Sequence, residues 1–448
     1  MKNSQLALAF IFLLQFFAFE GLSSEFTLRA GIAKVDITPV ESLYLGGYDS
    51  SLRGDPSDGI YGKLYVRSLV FDDNTSRSAI IEADITGFST EYSIALRRLI
   101  EDETGIPYEN IILGSVHNHA APTLGSNNSE TEWYRQFNNN VLKSVKDAIA
   151  DLEPVKIGGA IGTSYIAMNR RKRMEDTLSY LTFDENNSSQ SAGVYKTDNP
   201  VLIREMEGVY RLGSNPKGPI DPEVGIMRID KLSGRPKAVF VNYACHPTSL
   251  GARNNTISPE WNGHMLEYIE EMLPDVTGIF SNGAAGDINP RFVGGLEGNV
   301  DCLERTAQLG QEIGREVVRV FNTIQTEYAL NPEIKVVNEN IVLPLKYNHV
   351  MRDFRQTTLD LPVTALKIDE FIWITYPGEL FHEIGQQVKA STHSRYSFIV
   401  GYGNGSYGYL PTQAAHSEGG YEPNSTRFAP ISEKIFVRGI ERMLSKLY

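Results

Sequence analysis

The feature that most constrains the fold of this chain is a set of three apolar, strand-like runs. Each run ends directly in a short motif that contains an ionisable side chain. The runs are Ile111–Val116, Ala238–Ala244 and Phe371–Tyr376, and they lead into His117-Asn118-His119, Cys245-His246-Pro247 and Pro377-Gly378-Glu379. Short runs rich in β-branched and aromatic residues predict buried strands. Because α/β proteins place their sites at the carboxyl ends of such strands, we expect the histidines and Glu379 to meet at one sheet edge.

Helical periodicity between the strands indicates crossover connections. Leu64–Phe71 and Ser78–Ala83 flank a polar turn and predict a hairpin, and Glu91–Glu103 has apolar residues at helical spacing before the next strand. A strand, helix and strand in that order favour a parallel crossover unit. Further helices are predicted over Glu260–Met272 and Glu304–Ile324. The predicted fold class is therefore α/β, with mixed β-sheets flanked by helices.

Composition excludes some functions and bounds the number of domains. The 448 residues are 41% hydrophobic and 22% charged, which is typical of a folded protein. Lys and Arg total 42 against 55 for Asp and Glu, and the net charge of -13 argues against nucleic-acid binding. Since the candidate site residues are spread over most of the chain, we expect one large catalytic domain over residues 25–448, with a less regular insertion near Met174–Pro219.

The N-terminus has the pattern of a secretory signal peptide. Lys2 precedes the apolar run Leu6–Phe19, and small residues follow. A short membrane anchor is the alternative, but about 14 apolar residues fall short of the roughly 20 that span a bilayer. We expect a signal peptide over residues 1–24, a secreted or periplasmic protein and no transmembrane span after cleavage. Cys245 and Cys302 could form one disulfide or remain two buried thiols.

The histidines and Glu379 are the candidate chemical groups. His117 and His119 stand two apart, so in extended backbone both rings project from one face. Two imidazoles and one carboxylate with an open position form a common hydrolytic zinc site. The alternatives are a polar surface pair for His117 and His119, a core histidine for His246 and a helix-start carboxylate for Glu379.

Five motifs in order resemble those of a known family. They are Gly31-Ile32-Ala33-Lys34-Val35-Asp36-Ile37-Thr38-Pro39, His117-Asn118-His119-Ala120-Ala121-Pro122, Asn242-Tyr243-Ala244-Cys245-His246-Pro247-Thr248-Ser249, Asn282-Gly283-Ala284-Ala285-Gly286-Asp287-Ile288-Asn289-Pro290 and Tyr376-Pro377-Gly378-Glu379. This set resembles the catalytic domain of the neutral/alkaline (non-lysosomal) ceramidases, and the resemblance covers nearly the whole chain after the signal peptide.

The resemblance implies one zinc ion and assigns its ligands. The implied zinc ligands are His117, His246, Glu379 and Tyr409. Tyr407 or Tyr402 could match the family's tyrosine in place of Tyr409. A phenol is an uncommon zinc ligand, so residue chemistry alone would not select a tyrosine here.

The resemblance also implies a reaction. A zinc-bound hydroxide attacks the N-acyl amide of ceramide or a related N-acyl lipid, releasing a fatty acid and a long-chain base. His119 would move protons between the water and the leaving amine, and Arg170 would contact the substrate carbonyl, with Arg171 a close competitor.

Departures from the family pattern leave the substrate open. Ala120 and Asn289 stand where family members usually have serine, and we expect no C-terminal immunoglobulin-like domain before the chain ends at Tyr448. The partner is then a small-molecule substrate, either a lipid amide or a carbohydrate. One rival is a zinc hydrolase of the same superfamily acting on another amide, an ester or a glycan-linked group. A second rival is a non-catalytic binding protein, and a second metal near Asp287 is also left open.

Overall fold

The structure is a computed structural model that describes residues 28–173, 210–294, 300–347 and 356–448. The expected signal peptide (1–24) and most of the expected insertion (174–209) lie outside the described residues. None of the helices within the described ranges is both long and apolar enough to cross a bilayer.

Strands and helices alternate along the described chain. The strands are β1 (Arg29–Asp36), β2 (Gly59–Ile60), β3 (Tyr65–Asp72), β4 (Arg77–Ala83), β5 (Ile111–Ser115), β6 (Glu153–Thr163), β7 (Ala167–Arg173), β8 (Tyr210–Asn215), β9 (Glu223–Lys231), β10 (Pro236–Tyr243), β11 (Thr256–Ile257), β12 (Thr277–Asn282), β13 (Ile288–Pro290), β14 (Ile334–Pro344), β15 (Thr358–Ile368), β16 (Phe371–Tyr376), β17 (Glu379–Leu380), β18 (Tyr396–Gly401) and β19 (Tyr409–Leu410). The helices are α1 (Thr90–Thr104), α2 (Glu132–Ala150), α3 (Glu260–Met272), α4 (Val300–Phe321), α5 (His382–Ala390), α6 (Gln413–Glu418), α7 (Tyr421–Ser425) and α8 (Ser432–Leu444).

Two mixed sheets form the centre of the molecule. The larger has eight strands in the order β12-β10-β9-β6-β1-β3-β4-β5, and the smaller has four in the order β14-β15-β16-β18. Three neighbouring pairs are parallel, namely β4 with β5, β10 with β12, and β16 with β18. The fold class predicted from the sequence, mixed sheets flanked by helices, is confirmed.

The two sheets face each other across an aromatic layer, and helices cover the outer faces. In that layer Trp373 of β16 lies against Phe71 of β3 and Phe240 of β10. Helix α2 packs on β1 and β3, α3 and α4 pack on the other half of the large sheet, and α5 and α8 cover the small one. Burying apolar surface between these layers supplies most of the driving force for the fold.

Several predicted elements occur within one residue of the predicted boundaries. The hairpin β3–β4, the crossover through α1 to β5, helix α3 and strand β16 all form as the periodicity indicates. Helix α1 begins at the N-cap Ser89, whose side chain accepts from the Tyr92 N–H, and ends at Gly105 with φ 71.

Buried asparagine side chains connect the sheets at the end where β5, β10, β16 and β18 finish. Asn404 accepts from the Leu113 N–H of β5 at 2.8 Å. Asn242 of β10 donates to Ile399 of β18 at 2.8 Å, and Asn282 of β12 donates to Val116 at 3.1 Å. The loops that carry the candidate residues therefore start from one rigid platform.

Candidate functional site

His117 lies two residues after the end of β5 and has a strained backbone conformation. Its φ of 66 lies in the left-handed region of backbone conformation, which residues other than glycine rarely adopt. Its Nδ1 lies 2.6 Å from the Thr86 carbonyl oxygen. A carbonyl can only accept, so Nδ1 carries the proton and the Nε2 lone pair points into the site.

His246 is oriented in the same way after β10. Its Nδ1 donates to the Ile288 carbonyl at 2.9 Å, and its own carbonyl accepts from the Trp261 indole at 3.0 Å. The Nε2 lone pair therefore points at Oε2 of Glu379, 3.0 Å away. The donors nearest to this nitrogen, Nη1 of Arg170 and the Tyr402 hydroxyl, are at 3.3 and 3.4 Å, beyond the usual range for such bonds.

His119 completes a cluster of three imidazoles. Its Nε2 is 3.0 Å from Nε2 of His117, and its buried Nδ1 has no hydrogen-bond partner among the described residues. Gly47, with φ 92, lies so close that an added Cβ would sit 2.3 Å from that Nδ1. One nitrogen from each of His117, His119 and His246 lies within 4.8 Å of the other two.

Burial keeps all three histidines neutral. Desolvation lowers the pKa of His117 to about 4 and the pKa values of His119 and His246 well below their ordinary value. Neutral imidazole is the form that binds a metal. Zinc–nitrogen bonds of about 2.0–2.1 Å place two tetrahedral ligands roughly 3.3 Å apart, close to the 3.0 Å between Nε2 of His117 and Nε2 of His119 and the 3.0 Å between Nε2 of His246 and Oε2 of Glu379. The donor set therefore fits a divalent cation such as zinc.

Glu379 and two tyrosines lie on the other side of the cluster. Glu379 is in the short strand β17, where it pairs with Tyr409 of β19. It is therefore not the helix-start carboxylate of the alternative interpretation, because α5 begins only at His382. The ring of Tyr402, at φ 58, stacks on His117 with centroids 4.0 Å apart. Tyr407 lines a cleft that opens beside the cluster.

Arg170 reaches the cluster, and Arg171 does not. Nη2 of Arg170 donates to Gly286 O at 2.7 Å and to the Tyr409 hydroxyl at 3.1 Å. Burial alone would lower the pKa of Arg170, but the negative groups around it raise that pKa well above its ordinary value. Arg171 turns away to Glu418 and the Gly419 carbonyl.

Glu422 holds both arginines and was not anticipated from the sequence. One of its oxygens accepts from Nε of Arg170 at 2.8 Å, and the other accepts from Nη1 of Arg171 at 3.0 Å. Glu422 is 1% exposed. It is 252 residues from Arg170 in the chain, and no local pattern distinguishes it from other glutamates.

The sequence left open whether a second metal lies near Asp287 and whether the two cysteines are bridged. The Asp287 carboxylate accepts from the backbone N–H and Nδ1 of His382, at 3.0 and 2.7 Å, and from Asn169 at 3.2 Å. Protein donors thus already bind both of its oxygens. Cys245 and Cys302 are both buried and do not form a disulfide with each other.

A cleft of about 550 Å³ opens beside the cluster. His117, Glu379 and Tyr402 line it, together with Ser89 and Thr90 at the start of α1. A small molecule in this cleft would contact the cluster directly.

Comparison with known proteins agrees with the fold and the motifs. The family profile described as "Neutral/alkaline non-lysosomal ceramidase, N-terminal" matches residues 28–314. Neutral ceramidase B of Dictyostelium discoideum is 22% identical over 293 residues, which cover 60% of this chain and 36% of that protein. The match thus spans about a third of the length of that relative.

Two solved structures share the fold. The crystal structure of neutral ceramidase from Pseudomonas aeruginosa superposes with a TM-score of 0.70 at 17% identity, covering 95% of this chain and 75% of the other. A structure described as ceramidase complexed with C2 gives a TM-score of 0.70 at 16% identity, covering 94% and 75%. With its sequence motifs, its fold and the profile match over residues 28–314 all in agreement, the chain belongs to the neutral/alkaline non-lysosomal ceramidase family.

Proposed function

We propose that this member of the ceramidase family is a zinc-dependent amidohydrolase that cleaves an N-acyl amide to a carboxylic acid and an amine. The observation that carries the proposal is the pair of atoms facing each other at 3.0 Å, Nε2 of His246 and Oε2 of Glu379. Both are acceptors, because Nδ1 of His246 already holds its proton for Ile288. A divalent cation held by both side chains would turn this repulsion into attraction.

The residues that would hold the metal are His117, His246 and Glu379, with a tyrosine hydroxyl as a fourth group. Tyr409 is the first candidate, because it pairs with Glu379 in the β17–β19 ladder. Tyr402 is the alternative, since its hydroxyl is 3.4 Å from Nε2 of His246. A zinc ion bound here would supply Lewis-acid polarisation and lower the pKa of a water molecule to about 7.

His119 is the proposed proton carrier. Its Nδ1 has no partner among the described residues, so the ring is held by hydrogen bonding at Nε2 alone. Its Nε2 lies beside the other imidazoles, 3.0 Å from His117. From this position His119 can take a proton from the attacking water and return it to the departing amine nitrogen.

Arg170 is the proposed donor to the substrate carbonyl oxygen. Its Nη1 makes only long contacts, at 3.3 Å, to His246 and Asn289, while Nε and Nη2 are held by Glu422 and Gly286. The Nη1 protons are thus the ones that can turn to a substrate without breaking a short hydrogen bond. Removing a donor of this kind typically lowers kcat by about 10²- to 10³-fold.

Family membership makes ceramide or a related N-acyl lipid the first substrate to test, with a fatty acid and a long-chain base as products. The proposed location is secreted or periplasmic, on the basis of the N-terminal segment alone. The experiment incubates purified protein with N-acyl-sphingosines and with other N-acyl amides, with and without chelator. We expect amine release that stops with chelator and in His117→Ala. Amine release that persists in both conditions would refute the metal mechanism. A protein that binds the metal but releases no amine would instead support the alternative of a non-catalytic binding protein.

A further inference from the structure

The cleft beside the histidine cluster has walls of hydroxyl groups and glycines. Its volume of about 550 Å³ is within the range of about 300–1,000 Å³ that is usual for small-molecule sites. Five aliphatic hydroxyls line it, those of Thr86, Ser89, Thr90, Thr123 and Ser406. Such walls offer many hydrogen-bond donors and acceptors to a ligand.

No Ala, Val, Leu, Ile or Met is among the described residues that line this cleft. Phe88 is the one apolar side chain there, and its ring is 1% exposed because it packs against Phe137 in the core. A long acyl chain is stabilised only when it leaves water for apolar surface. Covering these hydroxyls with methylene groups would also remove their water without replacing the hydrogen bonds.

The charges and rings of the cleft indicate a neutral ligand. Apart from Glu379, which is assigned to the metal, the charged lining residues are Glu91 and Arg427, and their opposite charges do not select strongly for an anion or a cation. Tyr407 adds a phenol ring to the lining, whereas the buried ring of Tyr402 already stacks on His117. A phenol combines an apolar face with a hydrogen-bonding hydroxyl, a combination that suits the C–H face and the hydroxyls of a sugar ring.

We infer that the cleft binds a neutral, hydroxyl-rich group such as a sugar ring, and that the acyl group removed from it is short. The inference rests on the proposed amide hydrolysis and narrows its substrate to N-acylated amino sugars. In that reaction water adds its oxygen to the acyl carbon and the carbon–nitrogen bond breaks. The amine nitrogen receives the proton, so the products are a short carboxylic acid and an amino sugar.

The experiment compares four amides that combine two acyl groups with two amines. The acyl groups are acetyl and hexadecanoyl, and the amines are methyl glucosaminide and sphingosine, each assayed with zinc-supplemented protein in detergent. We expect kcat/KM for the N-acetyl sugar to exceed that for N-hexadecanoyl-sphingosine by at least tenfold. A higher kcat/KM for the hexadecanoyl compounds would overturn the inference and leave amide hydrolysis intact.

A binding measurement separates this inference from the proposed reaction. Calorimetry with the same compounds uses zinc-supplemented His119→Ala protein, so that cleavage does not consume the ligand. Binding of the N-acetyl sugar without hydrolysis by the wild type would support the preference of the cleft for a neutral, hydroxyl-rich group and would refute the removal of its acyl group together with the proposed reaction. Absence of both sugar binding and sugar hydrolysis would overturn the inference.

Gly87 offers a variant that changes the wall alone. Gly87 lines the cleft, and an added Cβ would meet nothing closer than the Ser115 hydroxyl at 3.9 Å. Gly87→Leu therefore places an aliphatic side chain in the cleft without a collision at Cβ. We expect at least a tenfold weaker binding of the N-acetyl sugar. Unchanged sugar binding in this variant would place the sugar outside the cleft and overturn the inference.

Discussion

Nε2 of His246 lies 3.0 Å from Oε2 of Glu379, and this nitrogen has no proton to donate to the carboxylate. The proton of His246 is on Nδ1, where the Ile288 carbonyl accepts it, and burial lowers the pKa of this histidine well below its ordinary value. The backbone of β13 thus fixes the tautomer of a side chain 42 residues away. This arrangement is stable when a cation lies between nitrogen and carboxylate.

Zinc should therefore raise the thermal stability of metal-free protein. At a free zinc concentration of 1,000 times Kd, binding adds about 4 kcal/mol to the free energy of unfolding. Thermal unfolding with and without zinc measures the effect, and Glu379→Gln should lose most of it. The exposed Glu383→Gln is the matched control and should respond like the wild type. An equal zinc response in Glu379→Gln would contradict the assignment of Glu379.

Gly47→Ala should reduce turnover by displacing His119. The new Cβ would lie 2.3 Å from Nδ1 of His119, at a residue whose φ of 92 also disfavours a side chain. The expected result is at least a tenfold lower kcat with zinc content retained, because His117, His246 and Glu379 are untouched. Gly234→Ala is the matched control, since it has φ 83 but nothing within 4 Å of the new Cβ. Loss of zinc in Gly47→Ala would instead indicate that His119 is a zinc ligand.

Glu422→Gln should destabilise the protein strongly. Glu422 is 1% exposed and pairs with both Arg170 and Arg171, and removing one partner of a buried ion pair typically costs about 3–5 kcal/mol. Denaturant titration measures the loss. Glu418→Gln is the control, because Glu418 binds the same Arg171 with a side chain that is 38% exposed, and we expect less than about 1 kcal/mol. Similar losses in the two variants would show that burial of Glu422 is not the cause.

Metal-free protein should lose stability as the pH falls from about 6.5 towards 4. Burial lowers the pKa of His117 to about 4, whereas an unfolded histidine titrates near 6.5. Between these values only the unfolded state binds the proton, so stability falls by up to about 1.4 kcal/mol per pH unit for such a histidine. Unfolding titrations at several pH values should give a shallower slope for His117→Ala than for wild type. The exposed His393→Ala should keep the wild-type slope, and an unchanged slope in His117→Ala would contradict the lowered pKa.

Glu82→Gln should stabilise the protein at alkaline pH. Burial between the two sheets raises the pKa of Glu82 well above its ordinary value, although Ser281 offsets part of the shift. The folded state keeps a proton that the unfolded state has lost, so this carboxyl opposes folding increasingly as pH rises above about 4.5. The gain from Glu82→Gln should grow between pH 4.5 and 8 in denaturant titrations. The same gain at both pH values would show that ionisation is not involved.

The sequence predicts the strands and the positions of His117, His246 and Glu379 well, because apolar runs and their polar ends are local signals. Strand β16 and helix α3 have the predicted boundaries. The order of the large sheet, by contrast, depends on pairings between distant strands such as β6 and β1, for which the pattern carries no information.

The second layer of the site was not predictable. The carbonyls of Thr86 and Ile288 that fix the imidazole tautomers are backbone groups, which every residue has. The positive φ of His117 and Tyr402 also has no sequence signal, because neither residue is glycine or asparagine. Such strained conformations persist where the packing around the residue holds the backbone in place. The polar lining of the cleft likewise appears only when α1 and the loop after β18 come together.

The zinc content of purified protein, measured by mass spectrometry after dialysis, tests the central claim most directly. We expect about one zinc per chain in the wild type and almost none in His246→Ala, with both proteins folded by circular dichroism. A folded wild-type protein that binds no zinc even after incubation with the metal would contradict the account, as would a His246→Ala variant that binds as much zinc as the wild type.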